Sequence, residues 1–103
     1  IQSGSPTEAL LDFLKAAVNE DAQAALDHTA GTRKYVLENK PNAMEELFER
    51  VPELDFDSSI LWIEMPREGS VVVSVEVLIK ESTERFQTRR VLKKIDGVWK
   101  VTT

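Results

Sequence analysis

The chain has 103 residues and a mass of 11.6 kDa, which is the size of one domain. It has no cysteine and one histidine, so disulfides, thiolate metal sites and cysteine nucleophiles are excluded, and a metal site or cofactor is not expected. The net charge is −5, with 12 acidic and 5 basic residues in 1–57 and 6 acidic and 8 basic residues in 58–103. Such an acidic chain is not expected to bind nucleic acid.

Hydropathy predicts a domain without a transmembrane segment, because no apolar run approaches 18 residues. Residues 1–5 are polar and begin with Ile1 rather than Met. We expect a flexible tail over 1–5 followed by a single domain over 6–103. We expect this segment to be a piece of a longer product, which leaves room for an N-terminal secretion signal or membrane anchor.

The first helix is predicted from Ser5 onward. Ser5 and Glu8 have the spacing of a capping box around Pro6, which suits the first helical position. An apolar stripe follows at i, i+3, i+4 and i+7, namely Leu10, Phe13, Leu14 and Ala17. This stripe predicts a helix that covers a sheet.

Further helices are predicted up to Pro52. Asp21 suits the N-cap of an alanine-rich helix that runs from Ala22 to about Thr29, with Gly31 as its left-handed C-terminal residue. A short segment from Thr32 ends before Pro41. Asn42 and Glu45 predict another capping box and a fourth helix.

The second half of the chain predicts four antiparallel strands. The first covers 54–65, with a bulge at Ser58 or Ser59 because the apolar parity changes there. In the second, 70–80, strict alternation places Val71, Val73, Val75, Val77 and Ile79 on one face. The third covers 85–95, and Asp96-Gly97 predicts a tight hairpin into a fourth. We therefore predict an α+β domain with three to four N-terminal helices packed on a curved four-stranded antiparallel sheet.

Three short motifs resemble those of one superfamily. They are Ser-Pro-x-Glu-Ala at residues 5–9, Asn-x-Asp at 19–21 and Asp-Gly-x-Trp-Lys-Val at 96–101. Together they resemble the nuclear transport factor 2-like (cystatin-like) superfamily, most closely small bacterial extracytoplasmic domains of unknown function. The resemblance implies a cone-shaped half barrel wrapped by helices, often with a pocket between sheet and helices. The superfamily includes isomerases, dehydratases, transport factors and binding domains, so the fold does not decide the function.

Five residues are candidates for lining such a pocket. His28 and Tyr35 lie on the predicted helices, whereas Trp62, Phe86 and Trp99 lie on the strands. The alternatives are a half-exposed histidine, a tyrosine at the rim and three aromatic side chains that fill the core. Because no catalytic motif and no metal-spaced histidine pair is present, we assign no catalytic or metal-binding residue.

Several charged residues have two interpretations. Asp55 and Asp57 have the spacing of paired carboxylates but fit a solvated turn equally. Glu64 and Glu76 lie within strands. Five cations of the third strand, Arg85, Arg89, Arg90, Lys93 and Lys94, could bind an anionic partner or pair with Glu64, Glu76 and Glu81 across the sheet.

We therefore predict a non-enzymatic binding or interaction domain. The family resemblance implies that it belongs to an extracytoplasmic or cell-envelope protein of a bacterium. The partner would be a second copy, bound through the sheet face to form a homodimer, or another protein domain. The alternative is a small-molecule isomerase or dehydratase that uses a pocket inside the cone. An enzyme needs convergent polar groups in that pocket, whereas a binding module needs an exposed apolar or charged patch.

Overall fold

The structure is a computed structural model that describes all residues from 1 to 103. Four helices come first, and five strands follow. The helices are α1 (Pro6–Val18), α2 (Ala22–Asp27), α3 (Gly31–Asn39) and α4 (Ala43–Arg50). The strands are β1 (Leu54–Asp55), β2 (Leu61–Arg67), β3 (Ser70–Ile79), β4 (Arg85–Ile95) and β5 (Val98–Val101). The predicted α+β class and order of elements are confirmed.

Two of the predicted helix caps are present. The Glu8 amide donates to Ser5 Oγ at 3.2 Å, and the Glu8 carboxylate accepts from the Gly4 amide at 2.9 Å, one residue before the partner that a capping box uses. The Asp21 side chain accepts from the Ala24 amide at 3.1 Å. These bonds satisfy helix N-terminal amides that have no partner within the helix. None of the four helices is long and apolar enough to cross a membrane.

Two other local predictions are wrong. Asn42 precedes α4 in a left-handed conformation, with φ of 64°, and its side chain makes no capping bond. A capping box requires an extended N-cap residue, so Asn42 and Glu45 do not form one. Gly31 does have a positive φ of 58°, but it begins α3, whereas α2 already ends at Asp27.

The predicted first strand is two strands, β1 and β2, which lie end to end along one edge of β3. Asp55 pairs with Leu78 and Leu61 pairs with Glu76, so residues 56–60 bulge out opposite the single residue Val77. A bulge was predicted here, and the observed one is larger. The other edge of β3 pairs with β4, and β4 pairs with β5. The sheet therefore has five antiparallel strands in four columns.

The helices cover one face of this sheet, which we call the inner face. Alternate residues of β3 point towards them, and Val73, Val75 and Val77 are almost fully buried, as the alternation predicts. Helix α1 contacts β2, β3, β4 and β5 and contributes Leu10, Phe13 and Leu14 to the same core. The opposite, outer face is largely uncovered.

Candidate functional site

The sheet has two edges, one at β5 and one at β1 and β2. The chain itself covers the edge at β5. The Val101 amide donates to the His28 carbonyl at 2.8 Å, and the Ala30 amide donates to the Val101 carbonyl at 3.0 Å. Thr29 thus forms a parallel bridge with Val101. The Lys100 ammonium also donates to the Asp27 carbonyl. Residues 27–30 therefore occupy the place where another strand would pair.

The opposite edge, at β2, has no such cover. Strand β2 pairs only with β3, so its outer backbone edge forms no ladder with another strand. Leu61, Trp62 and Ile63 are exposed by 52%, 44% and 61%. Because successive strand residues point to opposite faces, this edge presents large apolar side chains on both sides. Trp62, which was predicted to line a pocket or the core, is therefore half exposed at the edge.

A groove of about 620 Å³ runs across the outer face beside this edge. We call it the outer groove. Its side chains lie in three rows, and they are Leu61 and Ile63 from β2, Ser74 and Glu76 from β3, and Gln87 and Arg89 from β4. Gln87 Nε2 donates to Glu76 Oε1 at 2.6 Å. The groove is therefore apolar on its β2 side and polar, with one free cation, on its β4 side.

On the inner side of β2, Glu64 joins the edge strand to the first helix. Its Oε2 accepts from the Thr7 amide at 3.1 Å and from Thr7 Oγ1 at 2.6 Å. Thr7 is buried at the N-terminus of α1, where the helix dipole favours a negative charge. Glu64 therefore holds the inner side of β2 against α1, and the outer groove stays open.

A second opening lies between the helices and the inner face. This inner cavity has a volume of about 450 Å³ and is lined by parts of α3, α4 and β4. A pocket between the sheet and the helices is what the family resemblance leads us to expect. Of the five candidate pocket residues, only Phe86 lines this cavity.

The other candidate residues lie elsewhere. His28 and Trp99 line a shallow depression beside the Gly97 turn, Trp62 borders the outer groove, and Tyr35 is 68% exposed on α3. The five residues therefore do not surround one site. Whether any of them contacts a ligand stays a prediction.

Asp55 and Asp57, which have the spacing of paired carboxylates, lie in a turn where β1 leads to β2. Asp55 accepts from the Ser58 hydroxyl at 2.6 Å and from the Asp57 amide at 3.0 Å. The hydrogen bond from Ser58, followed by that from the Asp57 amide, lowers the pKa of Asp55 below its ordinary value. A general acid at neutral pH needs a raised pKa, so this turn does not have the character of one. No cluster of three or more His, Asp and Glu side chains is placed to hold a metal ion.

Sequence reasoning missed the two features that distinguish this surface. It placed Trp62 and Ile63 in a strand and expected Leu61 or Ile63 on the sheet face that contacts a partner, but it did not predict that this strand lies at an uncovered edge. It also did not predict that the inner cavity is lined by Arg33 of α3, Arg50 of α4 and Arg90 of β4. The unusual run of apolar residues on both faces of β2 was the available signal for the edge.

Comparison with known proteins supports the fold. No family model matches the chain, and no curated protein matches it. A solved crystal structure from Campylobacter jejuni, named "Putative NTF2-like transpeptidase", is similar to it with a TM-score of 0.64 and 17% sequence identity, over 96% of this chain and 99% of that chain. The similarity extends over nearly the whole of both chains and agrees with the four helices and the antiparallel sheet described above. The chain therefore has the nuclear transport factor 2-like fold.

Proposed function

We propose that this chain is a non-enzymatic protein-binding domain, and that β2 and the outer groove together bind an extended segment of another protein. The observation that carries the proposal is the exposure of Leu61, Trp62 and Ile63 on a strand whose outer edge is unpaired. An exposed apolar edge strand is a template for pairing with another chain. Peptide recognition by strand addition uses such an edge for backbone bonds and adjacent grooves for side chains.

The geometry of β2 limits where the partner would pair. Pro66 has no amide hydrogen, so a partner strand gains its ladder bonds along residues 61–65. Side chains of the partner that point towards the outer face would enter the outer groove beside Leu61 and Ile63. The proposed contact is therefore a short strand with apolar anchors.

Charge favours an acidic partner over a second copy. The outer-facing positions of β4 include Arg85, Arg89 and Lys93, whereas the only acidic side chain in the outer groove is Glu76, which Gln87 already binds. Two copies stacked through this face would bring like charges together. A segment with apolar residues flanked by Asp or Glu matches both the β2 side and the β4 side of the groove.

The enzymatic alternative has less support. An isomerase or dehydratase would use convergent polar groups with shifted pKa values inside the cone. His28 and Tyr35 do not line the inner cavity, and its only carboxylate is that of Glu46. The separation of these residues supports a binding domain.

Peptide display with the purified chain as bait tests the proposal. We expect selected peptides to combine two or more apolar residues with acidic ones. Their binding should fall at least about tenfold in the Leu61→Lys/Ile63→Lys double variant, because both apolar anchors are lost. Val98→Lys is the matched control, since Val98 is an exposed apolar residue at the far hairpin. Amide shifts on titration of a selected peptide should map to β2 and its neighbours.

Three results would contradict the proposal. The first is a set of selected peptides without acidic residues, and the second is equal loss of binding in the Val98→Lys control. The third is a dimer in light scattering that dissociates in the double variant, which would make a second copy the occupant. A folded amide spectrum of each variant is required before binding is compared.

A further inference from the structure

Three arginines from separate elements converge on the inner cavity. Arg33 comes from α3, Arg50 from the last turn of α4 and Arg90 from the inner face of β4. Lys40 also lines the cavity, and Glu46 is the only acidic residue that does. Four cations thus face one carboxylate in a chain whose net charge is −5.

Arg90 is held in place at the sheet side of the cavity. Its Nε donates to Thr88 Oγ1 at 3.2 Å, and its Nη1 donates to a main-chain oxygen of the last residue, Thr103, at 2.9 Å. The guanidinium also lies over the Phe13 ring, 6.0 Å from its centroid. Burial, followed by the charges of Arg33 and Arg50, lowers the pKa of Arg90. The charges of Arg33 and Arg50 therefore act on Arg90, which lines the same cavity.

Arg33 also lines the inner cavity, and one of its hydrogen-bond donors has no partner. Its Nε is buried and has no hydrogen-bond partner. A buried donor without a partner costs free energy, and a buried charge is normally paired. Arginines kept for structure alone are usually matched by carboxylates, but here one carboxylate faces four cations. Basic side chains of the cavity therefore outnumber acidic ones by four to one, which favours binding of an anion.

We propose that the inner cavity binds a small molecule through a carboxylate or phosphate group, which accepts hydrogen bonds from Arg33, Arg50 and Arg90. The planar guanidinium fork suits both kinds of oxyanion. The remainder of such a ligand would meet an apolar wall formed by Val36, Leu47, Val51 and Phe86. The cavity volume of about 450 Å³ lies within the usual range of small-molecule sites.

This site is independent of the proposed protein-binding edge. The inner cavity lies between the sheet and α3 and α4, whereas the outer groove lies on the opposite face of the sheet. A failure of one proposal therefore leaves the other standing, and amide shifts on the two faces distinguish them.

Titration of the isotope-labelled chain with inorganic phosphate, hexanoate and hexanamide tests the inference. Hexanamide has nearly the shape of hexanoate but no charge. We expect saturable amide shifts in α3, α4 and β4 with phosphate, hexanoate or both, and the stronger of the two identifies the oxyanion class. Hexanamide should produce no saturable shift at these positions.

Substitutions then assign the binding to the arginines. Arg33→Gln should weaken binding about tenfold to a hundredfold, because a charge-assisted bond to the anion is lost. Arg33→Lys should weaken it less, since the charge remains without the fork. Arg50→Gln provides a second test at an exposed position, where folding is not at risk. Arg67→Gln, which removes the same charge from an exposed position that lines neither the inner cavity nor the outer groove, is the control and should leave binding unchanged.

Thermal unfolding gives a second readout. Phosphate or hexanoate should raise the midpoint of the wild-type chain more than that of Arg33→Gln, because a ligand stabilises only the state that binds it. The inference is overturned if neither anion produces saturable shifts around the cavity. Equal shifts with hexanamide and hexanoate, or equal weakening by Arg33→Gln and Arg67→Gln, would also overturn it.

Discussion

The edge strands β5 and β2 both contain apolar residues, but the chain covers β5 and leaves the outer edge of β2 exposed. At the β5 edge, Val101 is fully buried and its backbone bonds to residues 28–30. At the β2 edge, Leu61 and Ile63 are more than half exposed, and the outer backbone is unpaired. Natural sheets usually protect their edges by cover, charge or proline. One edge is covered here, and the other has a proline only near its far end, at Pro66.

This difference shows that apolar character alone does not decide whether a strand is core or surface. Val101 is buried because α1 and the segment after α2 pack against β5. Glu64 of β2 is hydrogen-bonded to Thr7 of α1, whereas Leu61 and Ile63 near the start of β2 are exposed. The uncovered edge is therefore where binding of a partner removes the most apolar surface from water.

The largest expected effect comes from truncation at the covered edge. Val101→Ala should lower the free energy of unfolding by about 2 to 3 kcal/mol, because it leaves a cavity in a closed part of the core. Ile63→Ala, at the open edge, should cost less than about 0.5 kcal/mol. Urea unfolding of both variants, followed by tryptophan fluorescence, measures the difference.

Val98→Ala is the control for Val101→Ala, since it lies on the same strand but is 53% exposed. It should behave like Ile63→Ala. Slow hydrogen exchange at the Val101 and Ala30 amides would confirm that residues 28–30 cover the edge in solution. If Ile63→Ala lowered the free energy of unfolding as much as Val101→Ala, β2 would be covered in the free chain. The two edges would then not differ in how they are covered.

A smaller effect is expected where β2 is attached to α1. Glu64→Gln should lower the free energy of unfolding by about 1 to 2 kcal/mol, because the carboxylate accepts two hydrogen bonds from Thr7 at a helix N-terminus. Glu68→Gln, in the exposed turn after β2, removes the same charge and should change stability little. Equal unfolding midpoints for the two variants would show that Glu64 does not stabilise this attachment.

Several features set by short-range sequence were predicted correctly, although the capping box at Asn42 was not. The caps at Ser5 and Asp21, the alternation of β3 and the hairpin at Asp96-Gly97 all depend on residues within a few positions of one another. Asp96 and Gly97 both have positive φ, 51° and 81°, as the tight turn requires. The α+β class followed from these elements, because amphipathic helices and an alternating sheet must bury their apolar faces together.

Features set by long-range contacts were not predicted. Glu64 and Thr7 are separated by 57 positions, as are Arg33 and Arg90, and no local pattern joins them. Pairing of Glu64 with cations across the sheet was one of the two interpretations, and the structure instead shows its carboxylate bonded to Thr7. The exposure of Trp62 likewise depends on which elements cover β2, and the strand pattern alone does not specify that cover.

The smallest effect concerns the connection that separates β1 from β2. Hydrogen bonds from Ser58 and from the Asp57 amide lower the pKa of Asp55 in the folded chain. A carboxyl group with a lowered folded pKa stabilises the fold above its unfolded pKa, near 4, and loses this contribution as the pH falls through the folded value. Ser58→Ala should therefore raise the pKa of Asp55 towards its ordinary value.

The stability difference between the wild-type chain and Ser58→Ala should be present at neutral pH and disappear below about pH 4. Carbon chemical shifts of the Asp55 carboxyl group, recorded from acid to neutral pH, measure the pKa directly. Ser59→Ala is the control, because the hydroxyl that binds Asp55 belongs to Ser58. An unchanged pKa in Ser58→Ala would mean that the turn does not form in solution. Residues 56–60 would then lack this anchor, and the register that exposes Leu61 and Ile63 would have to be fixed by β2 pairing with β3 alone.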